Sequence, residues 1–408
     1  MNQVLRQSAL EMPEPTEWVT QPVRDVPVPP PLPPAPVHPE DTYAMAFATA
    51  ASHSRVPAAV PDGVWSIRWE LPLASSPGYV LQAGDRAIAF GGGRWELFDL
   101  AGKAIASGRY TTSMVSANAP SNRFYFVDEN NFLLAHQLSS GRLEFMFPVT
   151  YGETFIRPHL FQNGRRILWT AYERDTYPHA PQRAPRSLVE MRELGDKLET
   201  DAIGLLFSLT ADVRLYLATR VVSSAALGDE IVLAVPGAIY RASDALEPRT
   251  VMETESAAEP LGLSLDETRR IYLVTKQSED RTLWIIAPDG RRAVVPLARE
   301  WGDFIAPPVV GYDHRVFLVT GSRAVAFGPD GKLQWDVPPG GHIAGVTVSA
   351  DGILLLSAGA RIVGLNPKGE SRVLRDFEGD SLSTPPVLMP SGQMLVASAK
   401  KLYCLIAR

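Results

Sequence analysis

From about residue 64 to the last residue the chain repeats itself, and that repeat constrains its fold more than any other feature. Each unit holds a short β-branched or aromatic run, a turn, a second run and a polar turn that usually carries glycine. The clearest copy runs from Ala306 to Val337: PPVV, then YDHRVFLVT, then GSRAVAFGPDGKLQWDV. Apolar runs of four to six residues with partial alternation predict short, half-buried strands and not helices. The turn PDGK sets a proline and then a glycine where the chain reverses. Tight turns at this density are incompatible with a bundle of long helices.

Eight runs align as the third strand of a unit, beginning at Trp95, Phe132, Ser187, Ala238, Thr282, Ala324, Ile362 and Leu402. Six of the seven internal turns that follow carry glycine: Gly102, Gly141, Gly195, Gly290, Gly331 and Gly369. From the first to the last of these is 267 residues in six steps, or 44.5 per unit. That spacing matches the roughly 40–50 residues of a four-stranded propeller blade. The predicted fold is therefore all-β: an eight-bladed β-propeller of four-stranded blades, with degenerate third and fourth units that leave seven blades open. The eighth unit reaches Arg408 after its third strand, while Val64–Leu71 (VWSIRWEL) is a strand without a unit. Pairing the two closes the ring and removes an exposed sheet edge.

Units with PPVV before the first inner strand, an A-x-x-x-x-G-K/R turn after the third and Trp in the fourth resemble quinoprotein-type (PQQ-like) propeller repeats. Ala326 to Trp335 (AFGPDGKLQW) is the closest match, and Thr384-Pro-Pro-Val-Leu opens the eighth unit in the same style. The resemblance spans roughly residues 64–408 and is strongest in units six to eight. It implies either a quinone-dependent dehydrogenase or a non-catalytic scaffold of the kind found among outer-membrane assembly lipoproteins, and fold alone does not choose. Dehydrogenases of this type use adjacent cysteines, a tryptophan beneath the cofactor and a calcium ion. Cys404 is the single cysteine, with Leu405 beside it, and no acidic cluster has calcium-loop spacing. The expectation is no catalysis, no cofactor and no metal, and one cysteine also excludes an intramolecular disulfide.

Upstream of the repeats the composition changes. Eleven of the 35 prolines fall in the first 40 residues, and Val26–Pro39 (VPVPPPLPPAPVHP) lacks too many N–H donors for a helix or a central strand. Residues 1–63 carry three arginines against seven acids. Such a segment is expected to be a disordered proline-rich arm, with the propeller as residues 64–408. Within the arm, PxxP frames start at Pro27 (to Pro30), Pro31 (to Pro34) and Pro36 (to Pro39), and Trp18 has nothing local to bury it. Polyproline segments and lone aromatics in disordered chains are candidate protein-binding elements, and a stiff spacer is the plainer alternative for the prolines.

Other chemistry is sparse. None of the seven histidines forms an HxxxH or HExxH pair, GxSxG and P-loop motifs are missing, and Gly91–Gly93 precedes a strand and not a helix. Solvent-facing or hydrogen-bonded loop histidines are expected, and the tryptophans other than Trp18 are expected to pack blade on blade. The long connection 172–186 in unit three offers Tyr172, Arg174, Tyr177, Arg183 and Arg186 to an acidic partner. A net charge of −6 gives no basic field for nucleic acid, and no apolar run is long enough to span a membrane. MNQVLRQSALEM is not a secretory leader pattern, so a cytoplasmic location is expected, export without such a leader being the competing expectation. The sequence thus points to a non-catalytic protein-interaction scaffold with the arm as tether. A small-molecule sensor or enzyme using the central channel is the alternative.

Overall fold

The computed structural model describes residues 55–109, 115–118, 121–127, 132–148 and 258–408, together with the strands lying between residues 159 and 253. Apart from one turn of 3-10 helix, Arg299–Trp301, the regular elements there are strands. They form eight antiparallel sheets. The first holds Tyr79–Ala83, Arg86–Gly91, Arg94–Asp99 and Ala104–Arg109; the second holds Val115–Asn118, Arg123–Val127, Phe132–Gln137 and Leu143–Pro148. In the third, His159–Leu160, Arg166–Ala171 and Ser187–Leu194 are joined by Lys197–Leu198 and Gly204–Ser208, both paired with Ser187–Leu194. The fourth runs Ser223–Leu227, Glu230–Val235, Ala238–Ala242, Arg249–Glu253, and the fifth Glu259–Leu265, Ile271–Gln277, Asp280–Ile286, Arg292–Leu297. The sixth is Val309–Val310, Val316–Val319, Ala324–Phe327, Leu333–Val337, and the seventh Ile343–Val348, Leu354–Ala358, Arg361–Leu365, Ser371–Asp376.

The eighth sheet takes strands from both ends of the chain. Val387–Leu388, Gln393–Ala397 and Lys401–Ala407 receive Trp65–Pro72 as their fourth strand, with Trp65 opposite Ala407 and Pro72 opposite Lys401. Arg408 and Val64 then exchange backbone hydrogen bonds at 3.0 Å in both directions. Tyr79–Ala83 of the first sheet lies against Val387–Leu388 and Gln393–Ala397 of the eighth. First strands also meet first strands between sheets one and two, five and six, and six and seven.

Burial differs from the half-buried pattern expected of alternating strands. Val316–Val319 and Leu354–Ala358 are buried at every residue, and Arg86–Gly91 at every residue after the first. A neighbouring sheet covers each face, so both sets of side chains leave water and alternation disappears, as in any sheet packed on two sides. Alternation survives on outermost strands such as Arg292–Leu297, which have one open edge.

The turns between third and fourth strands follow from local chemistry. Asp99 Oδ1 accepts from the Ala101 and Lys103 amides, Asp330 Oδ1 from the Lys332 amide, and Asn366 Oδ1 from the Lys368 and Glu370 amides. Such side-chain-to-backbone bonds mimic a backbone turn. The glycine that follows takes the left-handed conformation, with φ of 91° at Gly102, 80° at Gly331 and 81° at Gly369. The neighbouring sheet uses the space these glycines leave. The Trp69 indole covers Gly102 and donates to Leu100 O at 3.1 Å, and Trp335 covers Gly369 and donates to Pro367 O at 3.3 Å. These are the sheet-to-sheet tryptophan contacts that the repeats led one to expect.

Candidate partner-binding face

In an antiparallel sheet the turn between strands one and two and the turn between strands three and four project from the same end. At that end the inner turns of sheets five to eight support a segment of chain. Residues 55–61, assigned to the arm on composition, lie here against the inner turns. The Val56 amide donates to Val348 O at 2.9 Å, Ala58 O accepts from the Ala350 amide at 2.9 Å, and the Val60 amide reaches Asp351 Oδ1 at 3.2 Å. Arg55 sits over the Tyr312 ring, 4.2 Å from its centroid, and pairs with Glu267 at 2.6 Å. Both Arg55 and Val56 are buried. The composition of residues 1–63, averaged over the segment, hides this stretch because Pro57 and Pro61 read like the rest of the arm.

Beside it lies a buried polar network between sheets five and six. Asp266, in the inner turn of sheet five, is fully buried and accepts from the Thr268 amide and hydroxyl (2.9 and 2.6 Å), the Arg270 amide (3.0 Å) and the Tyr272 hydroxyl (2.7 Å). His314 Nδ1, from the inner turn of sheet six, donates to Asp266 Oδ2 at 2.8 Å. Burial alone raises a carboxyl pKa, but the bonds from His314, Thr268, Tyr272 and Arg270 outweigh it, and Asp266 is held below the usual carboxylate range. The same burial, with the Asp266 charge, pushes Tyr272 well above a normal phenol. With its lone pairs engaged, Asp266 has no capacity left to take a proton from a ligand. The network clamps one sheet to the next.

Two further reactive side chains among the described residues, His136 and Cys404, are packed in the interior. His136 lies in a strand and not in a loop as expected: it is buried, bonded to Gly141 O at 2.9 Å and stacked on Phe124 and Phe126. Burial lowers its pKa, against the bond to Gly141 O. Burial pushes the Cys404 thiol up to about 11, which makes it a poor nucleophile. Gly92 and Gly93, with φ of 55° and 76°, form the tight turn expected of them. Among the described residues no group of three or more His, Cys, Asp or Glu is placed to hold a metal, and no helix is long and apolar enough to cross a membrane.

At the opposite end of the sheets, basic residues near the start of third strands meet acids near the end of fourth strands, Arg323 with Asp336, Arg361 with Asp376 and Lys401 with Glu70, while Arg281 meets Asp303 beyond the 3-10 turn. Aligning whole units rather than apolar runs exposes this repeat in the sequence. Each position expected to bind a partner falls outside the described residues: Trp18, Pro27, Pro30, Pro31 and Pro34 in the arm, and Tyr172, Arg174, Tyr177, Arg183 and Arg186 in the long connection.

No family model matches the chain and no curated protein matches it in sequence, so the comparisons do not show the PQQ-like family that the repeats resemble. Solved structures do match. The Dos1 propeller aligns with a TM-score of 0.64 at 7% identity, over 84% of this chain and 95% of its own. BamB from Moraxella catarrhalis aligns at 0.56 and 12% identity, over 85% and 98%, and the C-terminal WD40 domain of Sif2 at 0.55 and 11%, over 85% and 99%. At such identities the likeness speaks for shape and not for activity. The chain is an all-β protein of β-propeller fold.

Proposed function

We propose that this protein is a non-catalytic, cytoplasmic interaction scaffold: an eight-bladed ring of PQQ-like repeats, closed by Trp65–Pro72, with the N-terminal arm as tether to a protein partner. The observation that carries the reading is the character of the innermost strands. Val80, Leu81, Leu263, Leu265, Val309, Val310, Val346, Val348, Val387 and Leu388 are apolar and buried. Of the polar residues among them, Gln82 donates to Gly84 O and Ser264 to Pro308 O, and the Thr347 hydroxyl is buried without a partner. Inner strands packed this tightly against their neighbours support the reading of a rigid platform.

In the arm, Trp18 and the PxxP frames at Pro27, Pro31 and Pro36 are the proposed contacts, joined by Tyr172, Arg174, Tyr177, Arg183 and Arg186 for an acidic surface on the partner. The test is affinity purification with the full chain beside a chain lacking residues 1–54, a cut that spares the docked residues from Arg55 onward. A partner recovered by the full chain and lost by the shortened one is expected. Recovery of the same proteins by both removes the tether. Saturable binding of a metabolite in the channel replaces the scaffold reading with the sensor or enzyme.

A further inference from the structure

We infer that residues 55–61 are a docking motif: an arginine-led segment that occupies a peptide groove across the inner turns of sheets five to eight and fixes where the arm leaves the ring.

The segment behaves as a recognised peptide does. Arg55 enters a parallel bridge with Val348, the Val56 amide donates to Val348 O at the end of strand Ile343–Val348, and Ala58 O accepts from the Ala350 amide in the turn beyond it. This is strand addition, in which main-chain bonds hold the peptide and pockets read selected side chains. The pockets are specific. Arg55 has a carboxylate on one side and an aromatic face on the other, a pairing that suits a guanidinium better than an ammonium. Val56 and Ala58 enter the apolar core, whereas Ala59 is exposed. Pro57 and Pro61 fall where no amide is asked to donate, and Pro57 lies at a bend that Ala58 continues.

Four sheets are touched in seven residues: Glu267 in sheet five, Tyr312 in six, Val348 to Asp351 in seven, and Gly392 in eight, against which Pro61 rests. The occupant is this chain's own segment, because two residues beyond it Gly63 O accepts from Arg372 at 2.8 Å and Val64 joins the closing strand. Arg55 consequently sits at the boundary of sheets five and six and not at the outer edge, where Trp65–Pro72 lies. That the arm then holds a partner over this face rests on the tether reading; the docking itself does not.

Hydrogen exchange on the full chain tests the docking directly. The Val56 and Ala350 amides are expected to be protected, and Arg55→Ala to speed their exchange at least tenfold while amides within Leu354–Ala358 stay unchanged. Combining Arg55→Glu with Glu267→Arg is expected to restore part of the protection. Equal exchange at Ala350 in the parent and in Arg55→Ala overturns the proposal. A chain carrying Ala58→Cys and Ala350→Cys, treated with a short thiol cross-linker, distinguishes the occupant. A cross-linked monomer supports docking within one chain; a cross-linked dimer means that a second copy's segment fills the groove, and overturns it. Neither readout depends on a partner, so loss of the tether in purification and loss of the docked segment are separate results.

Discussion

The inner and outer turns project from the same end of the sheets, yet they hold neighbouring sheets together by different means. Outer turns use a repeated apolar device: Trp69 on Gly102, Trp335 on Gly369 and the smaller Val295 on Gly331. Inner turns of sheets five and six use one buried carboxylate, with His314 and Tyr272 among its donors. The contrast is one of tolerance. An apolar contact weakens in proportion to what is removed. A buried ionic group needs every partner, because each group left without one forfeits its solvation and regains nothing.

The largest effect is therefore expected at Asp266. Asp266→Ala strands the Tyr272 hydroxyl and His314 in a dry interior, at a cost of about 3–5 kcal/mol, the range for removing one member of a buried charged hydrogen-bond network. A shift in the chemical-denaturation midpoint measures it; a loss below about 1 kcal/mol places the network on the same footing as a surface pair. The pH profile carries two signs. Asp266 has a depressed pKa in the fold, so its contribution is complete above the unfolded value of about 3.9 and fades as pH falls through the folded one. Tyr272 is raised, so its contribution is complete below about 10 and fades as pH climbs above that. Tyr272→Phe is expected to flatten the alkaline limb and, by removing one of the donors that hold Asp266 down, to make the acid limb shallower as well. An unchanged alkaline limb shows that Tyr272 does not titrate with unfolding.

At the outer turns Trp335→Ala is expected to cost about 2–3 kcal/mol, below the roughly 3–5 of a fully buried aromatic because the indole is partly solvated. It also frees Pro367 O from its indole donor. Val295→Ala, the matching change one sheet earlier, is expected to cost about 1 kcal/mol. Equal losses at the two positions contradict the idea that the tryptophan carries its junction by size.

The same contrast explains what the sequence discloses. Third strands read from apolar runs start where the structure starts them at Phe132, Ser187, Ala238 and Ala324, and within two residues at Trp95, Thr282, Ile362 and Leu402. Val64–Leu71, read as the closing strand, appears one residue later as Trp65–Pro72. These elements are local and repeated, so each unit corrects the reading of the others. The polar network has neither property. Asp266 and His314 are 48 residues apart, on turns of different sheets, and nothing local sets Asp266 apart from Asp313 or Asp351. Arg55 is hidden for a further reason: its partners Glu267 and Tyr312 lie more than 200 residues downstream.

The smallest effects isolate the glycines. Gly290 and Gly369 occupy the same turn position with nearly the same φ, 84° and 81°. A side chain there costs about 1–2 kcal/mol for the left-handed backbone alone. Space separates them. A Cβ on Gly290 meets nothing within 4 Å, whereas one on Gly369 falls 2.8 Å from Trp335 Cγ and 3.1 Å from its Cβ. Gly290→Ala is therefore expected to cost about 1 kcal/mol, and Gly369→Ala about 2 kcal/mol once the indole is displaced. Adding Trp335→Ala to Gly369→Ala removes the collision, so the double variant should lose less than the two single losses combined. Strict additivity means that Gly369 answers only to its φ, and the packing of one sheet on its neighbour's turn then places no demand on the residue there.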